Sequence, residues 1–143
     1  MNSLEVLEKF GSVRRALNRI ALQKLKVIGL GTKQALVIRC VEKKGECSIT
    51  ELAQTSESDL AAVSRMITSL VKSGWLTRSV HPGDGRQSII KISAKAKRHL
   101  PELSIIVDDI AQLFSSPISQ EELDALGAIL TKMDNAFQDI PKS

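Results

Sequence analysis

Ser48 to Ser93 reads SITELAQTSESDLAAVSRMITSLVKSGWLTRSVHPGDGRQSIIKIS, and this stretch decides the fold. It opens on a short helix with two competent starts: Ser48 with Glu51 makes a capping box, while Thr50 also offers a capping oxygen, and spacing does not separate them. That helix continues through Leu52 and Ala53 to about Thr55. Asp59 or Ser58 then caps a longer helix ending at Ser73. In it Leu60, Val63, Ile67 and Leu70 recur at three or four residues and are predicted to face the core, so that Ala61, Ala62, Ser64, Arg65, Thr68 and Lys72 fall toward solvent. Gly74 ends the helix, and Trp75, the sole tryptophan, is predicted to be a buried anchor more than a stacking platform. Leu76 to Val80 and Gln87 to Ile92 are rich in β-branched residues, and HPGDGR between them carries Pro-Gly and Asp-Gly turn signals; the segment predicts a flexible, projecting hairpin. Helix, tight turn, longer helix, hairpin is the order of a winged helix-turn-helix.

On the N-terminal side, Val6, Phe10, Val13, Leu17 and Ile20 form one stripe of a long amphipathic helix over residues 4–26. Gly29 and Gly31 break it, Thr32 is predicted to cap a second helix to about Lys44 with Leu36, Val37, Cys40 and Val41 inward, and Gly45 ends that. On the C-terminal side, Ser93 is predicted to cap another helix that Pro101 kinks or restarts. Leu103, Val107, Ile110 and Phe114 follow at helical spacing. Ser119 with Glu122 makes a further capping box ahead of Leu123, Leu126, Leu130, Met133 and Phe137. A DNA-binding core of about 60 residues does not need three long extra helices, so their apolar seams predict an intermolecular bundle built from both termini.

The 143-residue chain is 43% apolar and 25% charged, enough to bury a core. No apolar run approaches membrane length and the start MNSLEVLEKF is amphipathic, which predicts a cytoplasmic protein with neither a span nor a cleaved signal. Charge is uneven: residues 1–47 carry +6, residues 48–98 carry +4 and residues 99–143 carry −6. A basic front and an acidic tail suit a protein that turns one surface toward a polyanion. Cys40 and Cys47, separated by six residues, have no second pair or nearby histidines, which argues against a zinc site and a disulfide framework. His81 and His99 have no neighbouring nucleophile or carboxylate pattern, and no Gly-rich phosphate loop follows a strand, so an enzyme is not expected and neither a metal nor a cofactor is implied.

These residues together resemble the multiple-antibiotic-resistance regulator (MarR) family of bacterial transcription factors. The resemblance rests on Leu30, Thr32 and Gln34; on Leu52 and Ala53; on Val63, Ser64, Arg65, Leu70 and Gly74 at the family's intervals; and on Asp84 and Arg86, its Asp-x-Arg pair. The chain departs from the pattern at the turn Ser56-Glu57-Ser58, at Gly85 between the pair, and at Ser93 to Ala96 with the added Pro101. The resemblance implies a homodimer whose helix Asp59–Ser73 enters the major groove while the wing reaches the adjoining minor groove. It favours Thr50 as the cap, with Ser48 and Ile49 adding a short third strand to the wing.

The expected architecture is therefore mostly α with a small β wing: a winged helix-turn-helix over residues 30–98, with residues 1–29 and 99–143 supplying dimerisation helices in one interlocked domain. Ser64, Arg65 and Thr68 are the expected donors to bases, with Ala61 permitting close approach and Ser58, Lys72 and the helix N-terminus available to phosphate. Arg86 on the hairpin suits the narrow minor groove, and Arg78, His81 and Gln87 can add phosphate or sugar bonds. Asp84, repelled by phosphate, reads as an orienting partner for Arg86 or Arg65. Cys47 reads as a semi-exposed thiol open to redox chemistry and Cys40 as a buried apolar residue. Double-stranded DNA, a second copy of the chain and a small-molecule effector are the expected partners. A winged helix used for protein assembly without DNA is the competing reading, weakened by the basic wing.

Overall fold

The protein is described by a computed structural model covering all residues except Glu57, Lys142 and Ser143. In chain order α1 is Ser3–Leu25, α2 Thr32–Lys44, α3 Ile49–Thr55, α4 Leu60–Lys72, β1 Leu76–His81, β2 Asp84–Ile92, α5 Leu100–Ser115 and α6 Gln120–Gln138, with single 3₁₀ turns at Lys26–Ile28 and Ala96–Arg98. The expected class, mostly α with a small wing, is the observed one. The chain divides into two compact units, Met1–Val107 and Asp108–Ser143.

The first unit is organised by α2, α3, α4 and the hairpin. Ile38, Val41, Leu52, Val63, Ile67 and Ile90 are completely buried in a single cluster that Leu76, Trp75 and Leu103 extend. The inward face of α2 differs from the expected one. Ala35, Val37, Ile38 and Val41 are buried, whereas Leu36 is exposed and Cys40 only half-buried. A helix turns about 100° per residue, and Ala35, Ile38 and Val41 lie on a stripe slightly rotated from the one through Leu36 and Cys40. Thr32 is the first helical residue and not the cap. Gly31 takes that place, its N–H donating to Gln34 Oε1 at 2.9 Å.

The start of α3 resolves in favour of Ser48. Its hydroxyl accepts from the Glu51 N–H at 3.1 Å, and its own N–H donates to Glu51 Oε1 at 3.2 Å. Thr50 lies inside the helix, and the expected third strand shrinks to one bridge, Cys47 to Ile90, with N–O distances of 3.0 and 2.8 Å. The reciprocal bonds of a capping box satisfy two orphan helix donors locally, which outweighs lengthening a strand by two residues. Glu57, one of the three residues at which the chain departs from the family's pattern before α4, lies outside the described residues.

The α4 helix ends on a Schellman motif. Gly74 at φ 90° lets its N–H donate to Val71 O at 3.1 Å while the Trp75 N–H reaches Leu70 O at 2.9 Å. The chain then enters an antiparallel hairpin pairing Leu76 with Ile92 and Arg78 with Ile90. Its strands run further than expected, leaving Pro82 and Gly83 alone between His81 and Asp84, and the register shifts between Val80 and His81, so that Gly85, Arg86 and Gln87 bulge out of the ladder. Ser93 does not cap α5, which starts only at Leu100; its hydroxyl accepts the Ala96 N–H at 2.9 Å in the turn before it, and Pro101 is the second residue of α5, where no N–H is needed.

Long helices frame both ends. On α1, Val6, Phe10 and Val13 are about half exposed, Phe10 at 54%. In the second unit, α6 starts on the Ser119–Glu122 capping box and has no buried residue; Phe137 is 59% exposed. No helix among the described residues is long and apolar enough to cross a membrane.

Candidate nucleic-acid interface

An open cleft of about 820 Å³ lies between α4 and the hairpin. From the helix side it is lined by Leu60, Ala61 and Ser64, from the α3 start by Ser48, Ile49 and Thr50, and from the hairpin by Arg78, Arg86, Gln87 and Ser88. Five of the expected contacts therefore share one concavity: Ala61, Ser64, Arg78, Arg86 and Gln87. No acidic side chain is among the described residues that line it. Two guanidiniums in a depression walled by apolar and hydroxyl groups concentrate a positive potential.

The hairpin is braced from within. Arg78 Nε donates to Ser88 Oγ at 3.0 Å across the strands, aiming its guanidinium. His81 Nδ1 accepts the Gly83 N–H at 3.0 Å and so fastens the turn. Asp84 departs from its expected role: its Oδ1 accepts the backbone N–H of Arg86 at 3.0 Å, and it makes no ion pair with Arg65 or Arg86 among the described residues. A carboxylate two residues back meets the backbone in an Asx turn before it meets a long side chain. The Arg86 guanidinium is thereby left open to a ligand.

On the exposed side of α4, Arg65, Thr68 and Lys72 project to solvent outside the cleft. The Thr68 hydroxyl donates to Ser64 O at 3.0 Å, one turn back. At the N-terminus, Asp59 Oδ1 accepts the Ala62 N–H at 2.7 Å. That carboxylate already occupies the positive end of the helix, so the end is not the open phosphate site that was expected. Ser58 instead accepts from Lys33 Nζ at 3.2 Å, which brings an ammonium to the turn between α3 and α4. Lys33 was missed by sequence reasoning, although a lysine in the first turn of a helix stands against the helix dipole and is a signal of another task.

Leu60 also overturns an expectation. It continues the buried stripe of Val63 and Ile67 in sequence, but it is 55% exposed and lines the cleft. As the first helical residue it overhangs the edge of the core.

The two thiols exchange their expected environments. Cys47 is 3% exposed, with its sulfur 3.9 Å from Cys40 O, while Cys40 is half-buried with its sulfur 3.7 Å from Thr55 Oγ1. Burial first, then the neighbouring Cys40, push the Cys47 thiol up to about 11. Such a thiol is protonated and a poor nucleophile at neutral pH, which removes the basis for Cys47 as a redox sensor. Glu51 moves the other way. The Ser48 backbone N–H, the Ser48 hydroxyl and then Lys44 hold its carboxyl below the ordinary value.

A helix with a small-residue outer face, set beside a braced hairpin with an open arginine, defines a winged helix-turn-helix protein. Known proteins share this arrangement. The model of the MarR family matches residues 32–88. The chain is 27% identical over 105 residues to an uncharacterised HTH-type transcriptional regulator of Bacillus subtilis, YxaD, covering 73% of each chain. Its fold superposes with a TM-score of 0.83 on a mutant of Escherichia coli MarR complexed with operator DNA, at 22% identity, over 90% of this chain and 93% of that one. The score is 0.82 against Bordetella bronchiseptica BpsR, whose DNA binding is regulated by 6-hydroxynicotinic acid, at 21% identity over 91% and 98%. The chain thus has the winged helix-turn-helix fold and is similar to the MarR family across that region.

Proposed function

We propose that the protein is a homodimeric, sequence-specific DNA-binding regulator that represses by occupying a pseudo-palindromic operator. The carrying observation is the cleft, where Ala61 and Ser64 of α4 face Arg78, Arg86 and Gln87 of the hairpin with no acid among the described lining residues. In this reading α4 enters the major groove, with Ser64, Arg65 and Thr68 meeting base edges and Ser58, with Lys33, and Lys72 meeting phosphate. Arg86 enters the minor groove, Arg78, His81 and Gln87 contact the backbone, and Asp84 holds the Arg86 peptide in place. The half-exposed apolar residues of α1 and the uncovered face of α6 support a second copy of the chain as partner. A two-fold axis then spaces the half-sites about one helical turn apart.

The test is selection of bound sequences from random duplexes, followed by a salt titration. The expected result is a two-fold motif whose affinity falls on the order of 10³ to 10⁵ between low and moderate salt, for roughly three to five phosphates neutralised per protomer. Arg86→Ala weakens binding to most sequences, whereas Thr68→Ala shifts preference at particular bases. Equal binding by Arg86→Ala and the parent removes the wing from the mechanism.

Release by a small ligand forms the finer part of the proposal. A second cavity of about 310 Å³ is lined by Val27, Ile28, Gly74, Trp75, Lys95 and His99 among others. Trp75 and His99 meet edge to face at 6.1 Å and Lys95 adds a cation, while the acid in the lining, Glu102, sits 3.7 Å from His99 Nδ1, so an aromatic acid of modest size whose carboxylate meets Lys95 is the matching chemistry. Calorimetric titration of the parent and of Lys95→Ala with 6-hydroxynicotinic acid tests it; heat from the parent that Lys95→Ala lacks supports it, and no heat from the parent counts against it.

A further inference from the structure

Leu60 is the one large apolar side chain in the cleft that the core does not claim. Ile49 beside it is half-buried and packs against the core cluster, and Ala61 is small. Leu60 keeps 55% of its surface exposed at the leading end of α4, where Asp59 fixes the first turn through Ala62. The rim around it is polar: Ser48, Thr50, Ser64, Arg78, Arg86 and Gln87. For folding, this position gains little from a leucine, because the buried stripe begins one turn later at Val63.

The floor of a major groove is polar donors and acceptors with a single apolar feature, the C5-methyl group of thymine. An exposed leucine pressed against any other base edge covers polar atoms without pairing them, which is unfavourable. From the exposure of Leu60 between Ile49 and Ala61, inside a cleft whose charge is basic, we infer that Leu60 is a specificity-determining residue that selects a thymine by its methyl group in each half-site. This rests on duplex DNA being the ligand of the cleft. The hydroxyls and arginines hold the duplex, and Leu60 makes one position intolerant of a base without a methyl.

The test uses the full chain and a duplex that the parent selects from a random pool. Each thymidine is replaced in turn by deoxyuridine, which removes the methyl and leaves the pairing edge intact. Binding is read by fluorescence anisotropy for the parent, Leu60→Ala and Leu60→Val. The parent is expected to lose about fourfold at one position per half-site, the equivalent of about 0.8 kcal/mol for a methyl-sized group, and more than tenfold when both half-sites are changed. Leu60→Ala is expected to bind the two forms alike at that position and to match the parent at every other, with Leu60→Val in between. Because Leu60 is exposed, both variants keep the fold. A parent indifferent to deoxyuridine everywhere, or a Leu60→Ala protein that discriminates as the parent does, overturns the inference while leaving the DNA-binding reading intact. A parent that binds no duplex overturns both.

Discussion

Ser93→Ala tests how α4 is joined to the hairpin. The Ser93 hydroxyl donates to Gly74 O and accepts the Ala96 N–H at 2.9 Å, while the Ser93 N–H reaches Trp75 O at 3.0 Å. Three segments thus meet on one residue that is 8% exposed: the end of α4, the entry to β1 and the turn leading to α5. Alanine retains the backbone bond and removes both hydroxyl bonds. The Ala96 N–H is buried and loses its partner outright, at the upper part of the 1–3 kcal/mol range for an unsatisfied group. Gly74 is only half-buried, so water recovers part of its carbonyl's loss. The expected destabilisation is about 2–3 kcal/mol. Urea unfolding at fixed protein concentration, followed by tryptophan fluorescence, measures it directly, because Trp75 sits at the junction. Ser93→Thr, which keeps the hydroxyl, is expected to recover most of the loss. A Ser93→Ala protein within about 0.5 kcal/mol of the parent would show that neither bond matters to stability.

Gly74→Ala is expected to cost about 1–2 kcal/mol in the same assay, because φ 90° is strained for any residue with a Cβ while the nearest side-chain atom, on Lys95, stays 3.6 Å away. With thiol reagent near pH 8, one equivalent is expected to react quickly at Cys40 and the second only on unfolding; fast modification of two thiols in the native protein would contradict the burial of Cys47. Because folding raises the Cys47 thiol from 9.0 to about 11, its contribution to stability is complete below the unfolded value and disappears as pH rises through the folded one; unfolding midpoints of the parent relative to Cys47→Ala between pH 8 and pH 11 are expected to converge on the alkaline side. Glu51 has the opposite sign: its depressed carboxyl adds stability above the unfolded value near 4.5 and loses it as pH falls through the folded one, so the melting-temperature advantage over Glu51→Gln is expected to shrink in acid.

The parts of the fold that were legible in the sequence are those fixed by neighbours in the chain. Gly74 stopping α4, the hairpin after Trp75 and the Ser119 box on α6 each depend on residues a few positions apart. The misread features depend on where a surface ends or on a small rotation. Periodicity showed which side of α4 is apolar but not that the core stops at Val63, so Leu60 was placed inside. The same uncertainty in α2 exchanged Ile38 for Leu36 and left Cys40 half-buried, while Cys47, past the end of α2, is buried by its bridge to Ile90. At the start of α3 the family resemblance pointed to Thr50, whereas the reciprocal bonds of Ser48 and Glu51 decided the structure. Asp84, expected to orient the guanidinium of Arg86 or Arg65, meets the Arg86 peptide N–H instead, since sequence distance does not distinguish a peptide N–H from a guanidinium.

The hairpin makes these junction residues matter far from where they sit. Two strands alone are marginally stable, so the wing takes its direction from its base, where Trp75, Leu76 and Ile90 are buried and Cys47 bridges to Ile90. From Leu76 to His81 a strand advances about 17 Å at roughly 3.3 Å per residue. A tilt of about 10° at the base therefore moves the tip by about 3 Å, comparable with one hydrogen-bond length. Arg86 lies near that tip, its peptide N–H held by Asp84, while Ser64 and Ala61 neighbour Val63 and Ile67, which are buried in the core. Ser93 and Gly74 adjoin that base through the Ser93 bonds to Gly74 O and Trp75 O, so a change there tilts the strand that carries Arg86 toward or away from α4. In the proposed mechanism, substitutions at these two positions weaken DNA binding without touching DNA, and a ligand seated beside Gly74, Trp75 and Lys95 acts through the same lever.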